Sequence, residues 1–183
     1  MRVIAGTAKG HKLQTLEGLD TRPTTDRIKE TLFNIIGFNL YDASFLDVFS
    51  GSGQIAIEAL SRGAKEAYLI DNNKKAVEII KENLKATKLF DNATIINKEF
   101  LAALNEIKHH KPFDFIFIDP PYAAGFEPQV LERIKANNLA DPDTVIIIEA
   151  DKHTDFSFVT DLGFEVTREK DYKTNKHIFL RRL

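Results

Sequence analysis

Ser44-Phe45-Leu46-Asp47-Val48-Phe49-Ser50-Gly51-Ser52-Gly53-Gln54-Ile55-Ala56 joins an apolar run, a glycine loop and the start of a second apolar segment at helical spacing. Residues 44–49 read as a strand, and 54–62 as a helix that Gly63 ends. Glycines at such a junction let the backbone approach a ligand closely, and the helix N-terminus beyond them favours a negative or polar group. The same unit recurs downstream. Strands at 67–70, 93–96, 114–118 and 144–149 alternate with helices at 73–87, through 101–104 and at 127–135. A short helix near 156–161 leads to two last strands, 164–168 and 177–181. This alternation predicts an α/β, doubly wound, seven-stranded sheet, mostly parallel and covered on both faces, with right-handed crossovers. No helix separates the last two strands, so an antiparallel C-terminal hairpin is expected.

Upstream of the loop, Val3-Ile4 and Lys12-Leu13 flank Gly6 and Gly10, which predicts a short β-hairpin. Residues 16–23 read as a loop. Thr24 or Thr25 then caps a helix with Ile28, Leu32, Ile35 and Ile36 inward, and Gly37 stops it. The whole of 1–183 is expected to form a single domain: an N-terminal hairpin, lid segment and helix over 1–40, and a ligand-binding core over 41–183. There is no long apolar run and no signal-like start, so no membrane partner or export is expected. The absence of cysteine excludes disulfides and thiolate chemistry and fits a cytoplasmic protein. The five histidines lack metal-ligand spacing, so no metal is expected, and His109-His110 reads as a helix end.

Net charge is −2, but its distribution is uneven. Arg2, Lys9, Lys12, Arg22, Arg27 and Lys29 crowd the N-terminal end; Arg168, Lys170, Lys173, Lys176, Arg181 and Arg182 crowd the other. Two basic ends can frame one polyanion surface if the fold brings them together, or can simply be solvated.

Gly51-Ser52-Gly53-Gln54-Ile55-Ala56 fits the dinucleotide fingerprint, with Asp71 at the next strand end placed for a ribose. An NAD enzyme is therefore one reading. Asp47 favours another: ahead of the glycines it would meet phosphates as a like charge, but a cationic amine as an opposite one. Glu99 follows the third strand as a further acceptor, with Phe100 beside it. A ligand with an ammonium group, a ribose diol and an adenine, such as S-adenosylmethionine, suits these residues. The fourth strand ends at Asp119-Pro120-Pro121-Tyr122. The prolines cannot continue a ladder and carry no N–H, so the Asp119 carboxylate and the Pro120 carbonyl can accept with little local competition. Tyr122 adds a flat π-face. An exocyclic amino group on a nucleobase needs these parts; the bland alternative is a strand-ending turn. Glu149 and Asp151, on the same rim, read as solvated acids.

With both loops quoted, the chain resembles the seven-stranded, Rossmann-like S-adenosylmethionine-dependent methyltransferases. Arg2-Val3-Ile4-Ala5-Gly6, Gly10-His11-Lys12-Leu13, Arg22-Pro23-Thr24-Thr25-Asp26-Arg27 and Glu58-Ala59-Leu60-Ser61-Arg62-Gly63-Ala64 narrow this. They resemble the small-subunit ribosomal RNA guanine-N2 methyltransferase (RsmD-like) family over nearly the whole chain. The family commonly has Glu at the place of Asp71 and Asp at the place of Glu99, swaps that keep an acceptor. The resemblance implies methyl transfer from S-adenosylmethionine, leaving S-adenosylhomocysteine, to N2 of a guanine in 16S rRNA. The partner is naked rRNA or a small-subunit assembly particle, and the protein is expected to be a monomer. The implied catalytic residues are Asp119, Pro120, Pro121 and Tyr122. The implied cofactor residues are Asp47, Phe49, Gly51, Gly53, Asp71, Asn72, Glu99, Phe100 and Thr25. Arg2, Lys12, Arg22 and Arg27 are the implied RNA contacts. The catalytic loop also suits methylation of adenine N6 in DNA or RNA, or of protein glutamine, although no insertion is long enough for a DNA target-recognition domain. A non-catalytic RNA-binding module is the reading from another class.

Overall fold

In the computed structural model, residues 1–16, 26–121 and 124–183 are described. Arg22, Thr25 and Tyr122 therefore lie outside the described residues, as does most of the expected loop at 16–23. Seven strands form one sheet: β1 (Ser44–Asp47), β2 (Glu66–Ile70), β3 (Ala93–Ile96), β4 (Phe115–Ile118), β5 (Val145–Asp151), β6 (Phe164–Asp171) and β7 (Asn175–Arg182). Their order is β3-β2-β1-β4-β5-β7-β6. The first five pair in parallel, and β7 runs antiparallel to both β5 and β6. The chain steps outward from β1 to β2 and β3, then returns to the far side of β1 for β4. That reversal opens a crevice beyond the carboxyl ends of β1 and β4, where open α/β sheets bind ligands.

Successive strand side chains point to opposite faces, and the core is accordingly two layers. Phe45, Leu69, Phe115, Phe117 and Ile147 pack with α1 (Asp26–Ile36), α2 (Gln54–Ser61), α3 (Lys74–Ala86) and the N-terminal hairpin. Leu46, Ile70, Ile116, Ile118 and Ile148 pack with α4 (Phe100–Glu106) and α5 (Glu127–Ala136). β4 is buried at all four positions because both its faces are covered.

Several elements differ from the sequence expectation. β6 and β7 run eight residues each, with a register shift between Val166 and Arg168. β6 is the sheet edge; it carries Glu165, Arg168, Glu169 and Lys170 instead of an apolar alternation, a composition that also blocks edge-to-edge pairing. The expected helix near 156–161 is a single 3₁₀ turn, Ser157–Val159. α4 stops at Glu106, and His110 lies beyond it, stacked on Phe113 at 4.1 Å between ring centroids.

α1 buries Lys29, Leu32, Phe33 and Ile36, so Lys29 replaces Ile28 on the inward face. The cause is Glu58 on α2. Its fully buried carboxylate lies 3.4 Å from Lys29 Nζ, accepts from Arg62 Nε at 2.8 Å, and accepts the backbone N–H groups of Ile4 and Ala5. Burial lowers the Lys29 pKa, while Glu58 opposes that shift. The hairpin, whose strands meet at the Arg2–Lys12 bridge, is thus fastened to α2. Ser61 completes the clasp: its hydroxyl accepts from Ala8 N–H at 2.9 Å and donates to Ala5 C=O at 2.6 Å. Gly6 is required there, because a Cβ at its φ of 82° would sit 1.7 Å from the Ser61 carbonyl oxygen.

Candidate active site

The crevice at the β1–β4 reversal holds a cavity of about 1090 Å³, bordered by the loops that follow β1, β2, β3 and β4 and by Met1, Thr15 and Leu16 of the N-terminal segment. Among the expected site residues, Asp47, Phe49, Gly51, Asp71, Asn72, Glu99, Phe100, Asp119, Pro120 and Pro121 all line it.

The glycine loop is shaped from within. Ser50 donates its N–H to Ile70 C=O at 2.9 Å and its hydroxyl to Asp47 C=O at 2.9 Å, and Gly53 N–H closes a turn onto Ser50 C=O at 2.7 Å. Gly51 and Gly53 hold φ of 54° and 75°, a region costly for other residues. Gly53 lies under the loop, where a Cβ would stand 3.1 Å from Leu69 Cδ2. Asp71 ties this loop to the next: its carboxylate accepts from Gly51 N–H at 2.9 Å and Asn73 N–H at 2.8 Å. Each oxygen keeps a lone pair for a ligand hydroxyl. Burial raises the Asp71 pKa, against the pull of these two donors. Asn73 in turn caps α3.

Glu99 caps α4, accepting from Leu101 and Ala102 N–H through one oxygen, so it has a structural task besides lining the cavity. Phe100 packs with Phe49 and Phe126 at centroid distances of 5.3 and 5.0 Å, forming an aromatic wall fit for a flat ring system.

Asp47 is the electrostatic centre. It is 1% exposed, and neither carboxylate oxygen has a hydrogen-bond partner among the described residues. Burial pushes its pKa up to about 7; the Asp71 charge adds to the rise, while the nearby Ala56 N–H and Ser50 hydroxyl oppose it without closing a bond. A buried carboxylate beside a cavity is a poor neighbour for phosphates and a good one for a cation. Asp119, just past β4, is driven well above the usual carboxylate range by burial first, then by Glu149 and Asp47. Pro120 behind it is buried and Pro121 is exposed.

Glu149 is not a solvated acid. It is 3% exposed on β5, one residue beyond the Ile118–Ile148 pair, and accepts from Asn175 Nδ2 at 2.6 Å, with His177 Nε2 3.1 Å from its other oxygen. His177 Nδ1 faces the Tyr172 hydroxyl at 3.1 Å, and that phenol is pushed up to about 12 by burial and then by Glu149. Sequence reasoning missed this network; its one signal was an acid ending an apolar strand beside another that ended in Asp119.

Several of the basic residues at the two ends are engaged within the fold rather than free. Lys29 is buried. Arg181 pairs with Glu165, and Arg182 bonds Asn138 and the Ala140 carbonyl, both at the strand end remote from the cavity. Lys176 pairs with Glu169 at 3.1 Å. Arg2, Lys12 and Arg27 are exposed, with Arg2 3.0 Å from Asp26, itself on the cavity border. Among the described residues no His, Asp and Glu cluster could hold a metal ion, and no helix is long and apolar enough to cross a membrane.

Comparison with known proteins yields a family model described as "Conserved hypothetical protein 95", which matches residues 1–181. A Bacillus subtilis protein named "Putative rRNA methyltransferase YlbH" is 37% identical over 174 residues, 94% of each chain. "Ribosomal RNA small subunit methyltransferase D" of Haemophilus influenzae is 34% identical, over 93% of this chain and 88% of its own. The solved structure of "Putative methyltransferase yhhF" from Escherichia coli superposes with a TM-score of 0.85 at 31% identity, covering 100% of this chain and 97% of that one.

Proposed function

The chain belongs to the conserved hypothetical protein 95 family, whose relatives carry the names of ribosomal RNA methyltransferases, and on that premise we propose that it methylates the exocyclic N2 of a guanine in 16S rRNA, with S-adenosylmethionine as donor. One observation carries the reading. A single cavity joins the buried Asp47 carboxylate, which has no hydrogen-bond partner among the described residues, a ribose-type acceptor at Asp71, an aromatic wall and the Asp119–Pro120 tip. The acidic lining argues against a dinucleotide, whose phosphates would meet Asp47.

The residues fit the cofactor. Asp47 would face its ammonium group, Asp71 its ribose hydroxyls, and Phe49 and Phe100 its adenine. When bound, S-adenosylmethionine supplies an electrophilic methyl group on a sulfonium. The chain's own part is to present the amine. The Asp119 carboxylate and the Pro120 carbonyl each accept one N–H, which draws the nitrogen lone pair out of conjugation and holds it toward the cavity. The gain comes from positioning and from acceptors aimed where positive charge develops. Asp119 serves in its ionised form, and once the carbon–sulfur bond has broken and the methyl is on nitrogen, the cationic nitrogen passes one proton to the Asp119 carboxylate that already accepts from it, and thence to solvent. A stacked base cannot reach this tip, so the target guanine is unpaired or flipped out. Arg2, Lys12 and Arg27 are suited to contact phosphates of the substrate.

The test is Asp119→Ala, with turnover on 16S rRNA and cofactor affinity measured separately. Lost turnover with retained affinity supports the scheme; near-normal turnover sinks it. Mass mapping of 16S rRNA from a strain lacking the gene tests the substrate, and a profile unchanged at every guanine refutes it.

A further inference from the structure

Three buried side-chain oxygens have no hydrogen-bond donor among the described residues: both carboxylate oxygens of Asp47 and the amide oxygen of Gln54. The two residues stand at opposite ends of the glycine loop, Asp47 closing β1 and Gln54 opening α2, and both line the cavity. Nothing in the glycine fingerprint assigns Gln54 a task, because it occupies one of the variable positions. Leaving three acceptors unmet in a buried place is costly, and natural interiors rarely tolerate it. When the residues that carry such atoms line one cavity, a ligand that enters and opens the lining enough to reach them is the natural source of donors.

The number and charge of the acceptors narrow that ligand. A hydroxyl has one donor and a neutral amide two, whereas a primary ammonium has three donors and the positive charge that Asp47 lacks. We propose that Gln54 and Asp47 together form a three-acceptor cradle for a primary ammonium group, and that Gln54 is a binding residue for the amino-acid end of the ligand. The inference rests on the cofactor reading above and deepens it: Asp47 supplies charge, and Gln54 supplies a third, neutral acceptor that favours an amine over an unsubstituted chain.

The competing arrangement has the Gln54 amide turned over, its NH₂ donating to Asp47 and the ligand uninvolved. Calorimetric titration of the whole protein separates the two. The probes are S-adenosylhomocysteine and its deaminated analogue, in which hydrogen replaces the α-amino group. The cradle predicts that Gln54→Met weakens S-adenosylhomocysteine by about tenfold or more while leaving the deaminated analogue unchanged. It also predicts that Gln54→Glu, which keeps an acceptor, binds S-adenosylhomocysteine at least as well as the wild type. Equal weakening of both probes by Gln54→Met, or no weakening, overturns the cradle. So does a loss of S-adenosylhomocysteine affinity in a folded Gln54→Glu, since that change keeps an acceptor for the ammonium and removes only the NH₂ that the turned amide would donate. Wild-type protein that binds neither probe refutes the cofactor reading itself, and the cradle with it. Wild-type binding with an indifferent Gln54→Met refutes the cradle alone.

Discussion

Replacing Asp47 by asparagine should remove a pH dependence of stability that the wild-type chain carries. The Asp47 carboxyl moves from its ordinary 3.8 to about 7 on folding, chiefly through burial. Below pH 4 it is protonated in both states and adds no dependence. Between pH 4 and 7 the folded chain binds a proton that the unfolded chain has released, so stability falls as pH rises. Above 7 the buried carboxylate is charged in the fold and the loss is complete. A difference of about 3 pH units, at about 1.36 kcal/mol each, makes the loss roughly 4 kcal/mol as an upper figure. Asp71 and Asp119 shift in the same direction but are present in both proteins, so the informative quantity is the difference between wild type and Asp47→Asn. Urea denaturation from pH 4.5 to 8, in about half-unit steps, measures it. The wild-type advantage over the variant should shrink steadily across that range. Parallel curves, or an advantage that grows with pH, would show that the Asp47 charge is compensated by a group other than a ligand, and the electrostatic reading of the cavity would fail. Added S-adenosylhomocysteine should restore more stability to the wild type than to the variant at pH 8, because its ammonium meets the exposed need of the carboxylate.

Glu149→Gln should move the acid limb of the turnover–pH profile to lower pH, since Glu149 is one of the two charges that raise the Asp119 pKa and the scheme needs Asp119 ionised; an unmoved limb would remove Glu149 from that role. Glu58→Ala should cost about 3–5 kcal/mol in urea denaturation, because it leaves buried Lys29 with only the Arg2 carbonyl and takes the acceptor from the Ile4 and Ala5 N–H groups. The same change in a Lys29→Met background should cost less, and additive losses would refute the coupling. Gly6→Ala should release the hairpin from α2, because its Cβ meets the Ser61 carbonyl oxygen at 1.7 Å. Hydrogen exchange at Ala5, Thr7 and Ala8 should then rise while exchange in β4 stays slow, and unchanged protection would refute the close approach.

Much of the fold was legible in the residues because burial writes itself as periodicity. β4 reads as a continuous apolar run since both its faces are covered, and α3 reads at helical spacing since only one of its faces is. The glycine loop and the two prolines after Asp119 are local backbone chemistry, so they too were visible in the chain. The C-terminal hairpin was legible too, but its length was not: β6 is the edge strand, and its exposed charged residues leave no apolar rhythm to mark where it ends. The inward turn of Lys29 could not be read from α1, because its cause is a carboxylate on α2.

The sequence by itself determined the order of strands and helices, the sharp loop at 50–53 and the acceptor-rich tip at 119–121, each a consequence of local steric and hydrogen-bonding rules. Tertiary structure alone decided that Asp47, Gln54, Asp71 and Asp119 share one cavity, that Glu149 is buried near Asp119, and that Lys29 turns inward to Glu58. Those outcomes depend on which strands become neighbours and on how deeply water is excluded between them. A carboxylate in the chain is only a carboxylate; burial between β1, α2 and β4 makes Asp47 a charge that calls for a cation.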